Sequence, residues 1–340
     1  LEGASEPETM AERAAALGLP AVAVTDRAGV YGIPRFHKAA SSAGVAAIVG
    51  AEAVLADGSR LPLLVRDARG YSNLCRLLTT AALHGPSEHS PRIGGARTTD
   101  NGQRTTSSKN QGRASWELLA DHAPGLIALT GGESGPLLRA LAAGGEDAAR
   151  HVLHRLVLLF GGKGVAVEVQ RHLRRGEDAR NAVLVRLARE LELPVVATQD
   201  ALFAAPADGA LADVFACLRE KCTLDTAGRR LEVNRSRHLR SGAAMARLFA
   251  DLPEAVANTA VIAERCAFRL SDLPYRFPSA RLEEGRDEAQ ELRARVAEGA
   301  RERYRAITPR VAAQLERELS LIEKLGLPGY FLVVHDIVRF

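Results

Sequence analysis

At 340 residues, with 46% apolar and 25% charged side chains, the chain has an ordinary globular composition and is long enough for two domains. Its net charge of +4, from 45 basic and 41 acidic residues, is too small to indicate nucleic-acid binding by itself. No apolar run reaches the roughly 18 residues that span a membrane, and the first residues lack the pattern of a signal peptide. The four scattered cysteines form no zinc motif, which favours reduced thiols in a cytoplasmic protein.

Short apolar runs alternate with helical patterns over the first two-thirds of the chain. Ser5 and Glu8 have the Ser-x-x-Glu spacing of a capping box, which predicts a helix that continues to Leu17. Strands separated by helices of about ten to fifteen residues are typical of βα units around a parallel sheet or barrel. The predicted strands are 21–25, 46–56, 61–65, 125–130, 164–169 and 194–198. The predicted helices between them are 34–43, 71–82, two within 134–159, and 178–192.

Beyond Ala205 the pattern becomes helical, and a Pro- and charge-rich passage at 272–286 indicates a domain boundary. We therefore expect one domain over 1–275 and a second region over 276–340. The helices expected here are 208–219, 242–252, 253–266, 288–306 and 309–325, and the chain ends within an apolar run at 330–340.

The stretch 86–115 interrupts the first domain with Gly, Ser, Thr, Asn, Gln and Arg and almost nothing apolar. Such a composition cannot bury enough surface to order itself, so we predict a disordered polar insertion. Its Arg residues and Lys109 could touch DNA, but a solvated loop is the favoured interpretation.

Several polar side chains fall where the predicted strands end, which is where ligands gather in βα architectures. Converging carboxylates would suit hard cations, and together with histidine they would suit zinc or manganese. The alternative is that these acids cap helices and pair with arginine. The residues at these positions are Asp26, Glu52, Glu168, His172 and Asp200.

His172 lies in a basic stretch, 171–175, and this predicts an exposed histidine rather than a metal ligand. The neighbouring cations could form a basic rim, although solvated helix faces explain them as well. The candidates for such a rim are Arg35, Lys38, Arg171, Arg174 and Arg175.

Several long runs carry a family resemblance, among them GLPAVAVTDRAGVYGIPRFHKAA, PVVATQDALFA, LADVFACLRE and LIEKLGLPGYFLVVHDIVRF. With these runs the chain resembles the PHP (polymerase and histidinol phosphatase) domain of C-family bacterial DNA polymerases. It is most similar to the error-prone, alpha-subunit-like branch that acts in damage-induced mutagenesis. The resemblance covers nearly the whole chain apart from the polar insertion.

This resemblance implies an α/β fold: a PHP-type distorted (β/α) barrel to about residue 275, then helices that begin the polymerase palm. The family's palm aspartates follow the position where this chain ends, so we expect a fragment that is inactive alone. The implied parent is a DNA-directed DNA polymerase (a nucleotidyltransferase) that needs Mg²⁺ and acts in DNA repair and translesion synthesis. DNA primer-template, deoxynucleotides, a sliding clamp and other mutagenesis proteins would be its partners, in the cytoplasm and away from membranes.

The resemblance also implies a decayed metal centre. Glu2, Asp26, Glu52 and Asp200 match acids of the family's centre, but the His-x-His that precedes them in metal-binding members would fall before Leu1.

At other ligand positions the donor itself is lost. Arg27 stands where the family has the His of Thr-Asp-His, and Leu202 where it has the His of Asp-x-His. Ala82 and Gly132 occupy two further ligand positions, where the family usually has His and Cys or His. Leucine has no lone pair and a protonated arginine repels a divalent cation, so we expect no metal in this domain. The guanidinium could instead pair with the acid at 26, 52 or 200.

Three functions stay open at this point. The first is a metal-free scaffold and docking domain of an error-prone polymerase. The second is an active PHP metal-dependent phosphoesterase or 3′–5′ exonuclease, which requires the missing histidines. The third is an interaction module that recruits partners through the polar insertion.

Overall fold

The computed structural model describes residues 3–84, 112–273, 282 and 287–339. Its contacts separate into two compact units, Leu1–Leu273 and Pro274–Phe340. Most of the predicted polar insertion, 86–111, lies outside the described residues, as does Glu2. None of the helices in the described ranges is long and apolar enough to cross a membrane.

The first unit is organised by one six-stranded sheet with the strand order β1-β2-β3-β4-β5-β6. Strand β3 pairs antiparallel with both of its neighbours, whereas the other adjacent pairs are parallel. The expectation of a parallel sheet is therefore wrong for β3, because a tight turn through Asp57-Gly58 returns the chain beside β2. The other five strands all point the same way, so their carboxyl ends meet at one edge. The strands are β1 (Ala21–Arg27), β2 (Ala46–Val54), β3 (Arg60–Val65), β4 (Leu126–Leu129), β5 (Val165–Gln170) and β6 (Val195–Thr198).

Helices cover both faces of the sheet. Leu61 and Leu63 of β3 belong to the main core, while Leu64 and Ile127 belong to a second cluster with α10. The strands of a sheet that is buried on both faces are continuous apolar runs in the sequence, and these runs located the strands well. The helices are α1 (Pro7–Ala16), α2 (Ile33–Ser42), α3 (Ala68–His84), α4 (Trp116–His122), α5 (Pro136–Phe160), α6 (Glu177–Glu190), α7 (Gly209–Glu220), α8 (Leu224–Ala227), α9 (Gly242–Leu248) and α10 (Pro253–Arg265).

Two local predictions are corrected by tertiary contacts. The capping box is wrong, because the Ser5 hydroxyl accepts from the Ala204 amide at 2.9 Å and donates to Asp208 at 3.2 Å instead of capping α1. The expectation of disorder is wrong for Ala114, which is 2% exposed and pairs with Leu55, just after β2.

Helix α5 is bent in the middle. Gly144 and Gly145 have non-helical backbone angles, and the φ of +70° at Gly145 is one that side chains with a Cβ rarely adopt. The prediction of two helices within 134–159 is thereby confirmed.

Over its described residues, the second unit has three helices around Leu292, Leu319 and Leu332. Gly326, with φ of +66°, ends the middle helix, as αL glycines commonly do. The last apolar run of the sequence is helical rather than extended. The helices are α11 (Glu288–Arg303), α12 (Pro309–Lys324) and α13 (Pro328–Arg339).

Candidate functional site

Three carboxylates come together at the edge where the co-directional strands end. Glu52 lies near the end of β2, Glu168 lies in β5, and Asp200 follows β6. Burial and the nearby charges of Asp200 and Glu168 raise the pKa of Glu52 to about 7. Burial also raises the pKa of Glu168. We call these three acids the mouth cluster, and strand-end position alone had indicated all of them.

Glu168 is held by neutral donors. Its Oε1 accepts from Gln170 Nε2 at 2.7 Å and from the Thr198 hydroxyl, and its Oε2 accepts from the Gly131 amide at 3.1 Å. A Cβ built on Gly132 would lie 2.5 Å from Gln170 Oε1. The amide of Gln170 therefore fills the space that a side chain at 132 would need, and sequence reasoning had missed Gln170.

Glu52 lies near two arginines, Arg60 and Arg27. Nη1 of Arg60 is 3.9 Å from Glu52 Oε2. Burial and the charge of Arg60 lower the pKa of Arg27 to about 10, while the Glu52 carboxylate opposes that shift. Arg27 and Ala82 also line one cavity of about 310 Å³, so two expected ligand positions are neighbours in space. Arg60 had not been singled out, because nothing local in the sequence links it to Glu52.

Asp200 is bound by an arginine from a distant loop. Arg237 donates from Nη2 to the Asp200 carboxylate and from Nε to its carbonyl oxygen at 3.0 Å. The same guanidinium donates to Glu232 at 2.9 Å. Asp200 adopts φ of +45°, an uncommon angle for a residue with a side chain. This carboxylate is thus occupied by a cation that belongs to the chain itself.

Two other predicted site residues, Asp26 and Leu202, make their described contacts outside the mouth cluster. Asp26 Oδ2 accepts from the Gly32 amide at 2.5 Å, just before α2 begins. Leu202 packs in a small apolar cluster with Ala4 and Phe203.

His172 is buried, so the prediction of an exposed histidine is wrong. Its Nε2 is hydrogen-bonded to the carbonyl oxygen of Gln199 at 2.8 Å, and its backbone amide donates to Glu177 at 2.8 Å. The basic neighbours misled the prediction, because the chain turns the ring inward while Arg171 and Arg174 reach outward to acids.

Members of the predicted basic rim are mostly taken up by ion pairs. Arg171 pairs with Asp251 at 2.6 Å and lies over the Phe249 ring. Arg174 contacts Glu133 at 3.0 Å. Such exposed pairs add little stability, but they occupy guanidinium donors that a phosphate would need.

Within the described ranges, no group of three or more His, Cys, Asp or Glu side chains is arranged to hold a metal ion. Glu168 and Asp200 instead accept from guanidinium, amide and hydroxyl donors of the chain, and Glu52 has Arg60 3.9 Å away.

Comparison with known proteins identifies the families that this chain resembles. Residues 1–172 match the family model described as PHP domain, and residues 290–340 match that of the bacterial DNA polymerase III alpha NTPase domain. The chain is 40% identical over 352 residues to the error-prone DNA polymerase of Mycolicibacterium paratuberculosis. It is 37% identical over 374 residues to the error-prone DNA polymerase of Nocardia farcinica. Both alignments cover the whole chain but only 30% and 33% of the relatives, so the chain spans about a third of their length.

A crystal structure titled as a metal-dependent phosphoesterase from Bifidobacterium adolescentis superposes with a TM-score of 0.38 and 16% identity, covering 58% of this chain and 83% of that one. The predicted fold class, a PHP-type distorted (β/α) barrel followed by helices, is confirmed by the sheet and by the family match. The predicted resemblance to the PHP domain of error-prone polymerases is confirmed as well. Because the PHP model matches half of its length, the chain belongs to the PHP domain family, and a segment that matches the polymerase III alpha model follows at 290–340.

Proposed function

We propose that the chain is the N-terminal part of an error-prone DNA-directed DNA polymerase that acts in damage-induced mutagenesis and translesion synthesis. The observation that carries this proposal is 40% identity along the whole chain to a relative of that name. In the proposal, 1–275 form the PHP domain and 276–340 begin the palm. The palm of the longer protein would use Mg²⁺, DNA primer-template and deoxynucleotides, and a sliding clamp and other mutagenesis proteins would be its partners in the cytoplasm.

The second part of the proposal is that the PHP domain is a metal-free scaffold. A divalent cation at the mouth cluster would have to displace Arg237 from Asp200 and the Gln170 amide from Glu168. These donors already satisfy the oxygens that a hard cation needs as ligands.

The charges around Glu52 support the same conclusion. Arg60 and Arg27 already supply positive charge beside this carboxylate, and both would repel a divalent ion. Leu202 offers no lone pair at the position where the family has a histidine ligand. The residues present therefore do not fit a metal centre, and no catalytic step is assigned to this domain.

The polymerase proposal is tested on the longer protein that contains this chain. Primer extension is measured on an undamaged template and on one with an abasic site, and misincorporation is counted on the undamaged one. We expect Mg²⁺-dependent extension with bypass and frequent errors. Extension that is accurate and stops at the lesion would refute the error-prone role.

The scaffold proposal is tested by metal analysis and by loss of a labelled 3′ nucleotide from single-stranded DNA. We expect no stoichiometric zinc or manganese and no exonuclease activity in the unmodified protein. The double variant Arg27→His and Leu202→His should bind manganese more tightly, since it restores two imidazole ligands. Arg247→His, on the exposed face of α9, is the matched control. Tightly bound metal in the unmodified protein would overturn the proposal and favour an active phosphoesterase.

A further inference from the structure

A second charged region lies away from the mouth cluster, in a cavity of about 370 Å³ that we call the α5 groove. It is lined by Asp57, by Trp116 at the start of α4, and by Arg139, His151 and Arg155 of α5. Concave sites of this size suit small ligands.

The bend in α5 creates this groove. The break at Gly144 and Gly145 separates the helix into two segments. Arg139 belongs to the first segment and His151 and Arg155 belong to the second, yet all three line the same cavity. The bend thus brings together two arginines and a histidine from helical turns that a straight helix would hold far apart.

One guanidinium of the groove has no counter-charge among the described residues. The side chain of Arg139 makes no hydrogen bond or ion pair with any residue that the structure describes. A Cβ at Gly58 would lie 3.6 Å from Arg139 Nη1 and 3.7 Å from Arg113 Nη1, so both guanidinium groups converge on the turn between β2 and β3. Arg113 also donates from Nη1 to the Ala56 carbonyl oxygen at 3.0 Å, which fixes its guanidinium beside this turn.

The acids near the groove are engaged elsewhere or exposed. Oδ1 of Asp57 accepts from the Ser59 amide at 2.8 Å and from its hydroxyl at 2.6 Å, within the turn itself. Glu117 lies 3.6 Å from Arg155, but its side chain is 81% exposed, so water screens this pair.

Trp116 adds an aromatic surface to this cationic site. The guanidinium of Arg155 lies over its ring, 4.4 Å from the centroid. Stacked arginine and tryptophan planes are a surface on which nucleobases pack, and arginine forks bind phosphate oxygens in pairs.

We propose that the α5 groove binds a nucleotide, with its phosphate between Arg139 and Arg113 and its base against the Arg155–Trp116 pair. The nucleotide is either a unit of single-stranded DNA or a free nucleotide, since both present the same phosphate and base. The site requires no metal and no residue of the mouth cluster. It also does not depend on polymerase activity, because no synthesis is needed for binding.

Trp116 makes this proposal directly testable, because it is the only tryptophan in the chain. The 340-residue chain is titrated with a single-stranded thymidine oligonucleotide, with thymidine monophosphate and with inorganic phosphate, while tryptophan emission is followed. We expect saturable quenching by at least one of the two thymidine ligands and a weaker effect of phosphate alone. Stronger quenching by the oligonucleotide would identify a DNA strand as the ligand, and equal quenching by the monophosphate would identify a free nucleotide.

The decisive variant is Arg139→Gln, which removes a cation that has no described partner and so leaves the fold intact by circular dichroism. We expect about tenfold weaker binding, as for loss of one charged hydrogen bond. With the oligonucleotide, the slope of log affinity against log salt should fall by about 0.7. Arg247→Gln is the matched control and should bind like the unmodified chain. Absence of quenching by both thymidine ligands, or quenching that Arg139→Gln leaves unchanged, would overturn the proposal.

Discussion

At the barrel mouth Arg237 binds both Asp200 and Glu232, whereas in the α5 groove the guanidinium of Arg139 meets no acceptor among the described residues. Both arginines carry the same charge, but one is 17% exposed and the other projects from an exposed helix surface. The two regions differ in the source of the negative charge that faces the arginine. At the mouth cluster acidic side chains of the chain supply it, whereas in the groove a bound ligand would supply it.

The two regions show the difference between charges that stabilise the fold and charges that are available to bind a ligand. A buried carboxylate without a partner is costly, so the mouth cluster must be satisfied by internal donors for the domain to be stable. A solvated arginine costs little when it stands alone, so a fold can keep one ready for an anion. Substitutions should therefore affect stability at the mouth and ligand binding in the groove.

The largest effect is expected for Glu168→Ala. It leaves the Gln170 amide, the Thr198 hydroxyl and the Gly131 amide without their acceptor in a buried site. We expect the free energy of unfolding to fall by about 4 kcal/mol, since each unsatisfied buried donor costs about 1 to 3 kcal/mol. Urea unfolding measures it, and Glu168→Gln, which keeps one acceptor oxygen, should lose clearly less. Equal losses for both variants would contradict this account of the network.

The pH dependence of stability should show a somewhat smaller effect. The pKa of Glu52 is about 7 in the folded chain against an ordinary 4.5, so the folded chain holds a proton that the unfolded chain releases in that interval. The free energy of unfolding should therefore fall as pH rises from about 4.5 to about 7, by up to about 3 kcal/mol.

Burial also raises the pKa of Glu168, so this residue contributes to the pH dependence in the same direction. The quantity to measure is therefore the difference in the free energy of unfolding between the unmodified chain and Glu52→Gln at each pH. That difference should change with pH across the interval. The exposed Glu264→Gln is the control and should follow the unmodified chain. A constant difference would show that Glu52 titrates normally.

Arg237→Gln should lower the free energy of unfolding by about 2 kcal/mol. This loss is smaller than for a fully buried ion pair, because the Asp200 side chain is 42% exposed. The loss should shrink when Asp200→Asn is added, since the neutral amide no longer needs a cation. A double-mutant cycle by urea unfolding measures this coupling, and a coupling near zero would mean that the pair is only a surface contact.

The smallest effect on stability is expected for Arg139→Gln, within about 0.5 kcal/mol of the unmodified chain. Its thermal unfolding midpoint should therefore be unchanged. A large loss would reveal a structural partner for Arg139 and would remove the contrast between the two regions.

Much of the fold could be predicted from the sequence because its elements are local. Continuous apolar runs located all six strands, and the prediction of two helices within 134–159 agrees with the break in α5. The direction of β3 was missed although the Asp57-Gly58 turn was visible. The helix start at Ser5 was misread because a hydroxyl can cap a helix or bond to a distant loop, and spacing does not distinguish the two.

For the candidate site, the sequence by itself determined which acids stand at strand ends, since a strand's end is a local property. Glu52, Glu168 and Asp200 were identified in that way. Only the tertiary structure decided what faces them, because Arg237 is 37 residues from Asp200 along the chain and Gly131 is 37 residues from Glu168. Burial likewise depends on every neighbouring element, and this is why the environments of His172 and of Arg139 emerged only from the folded chain.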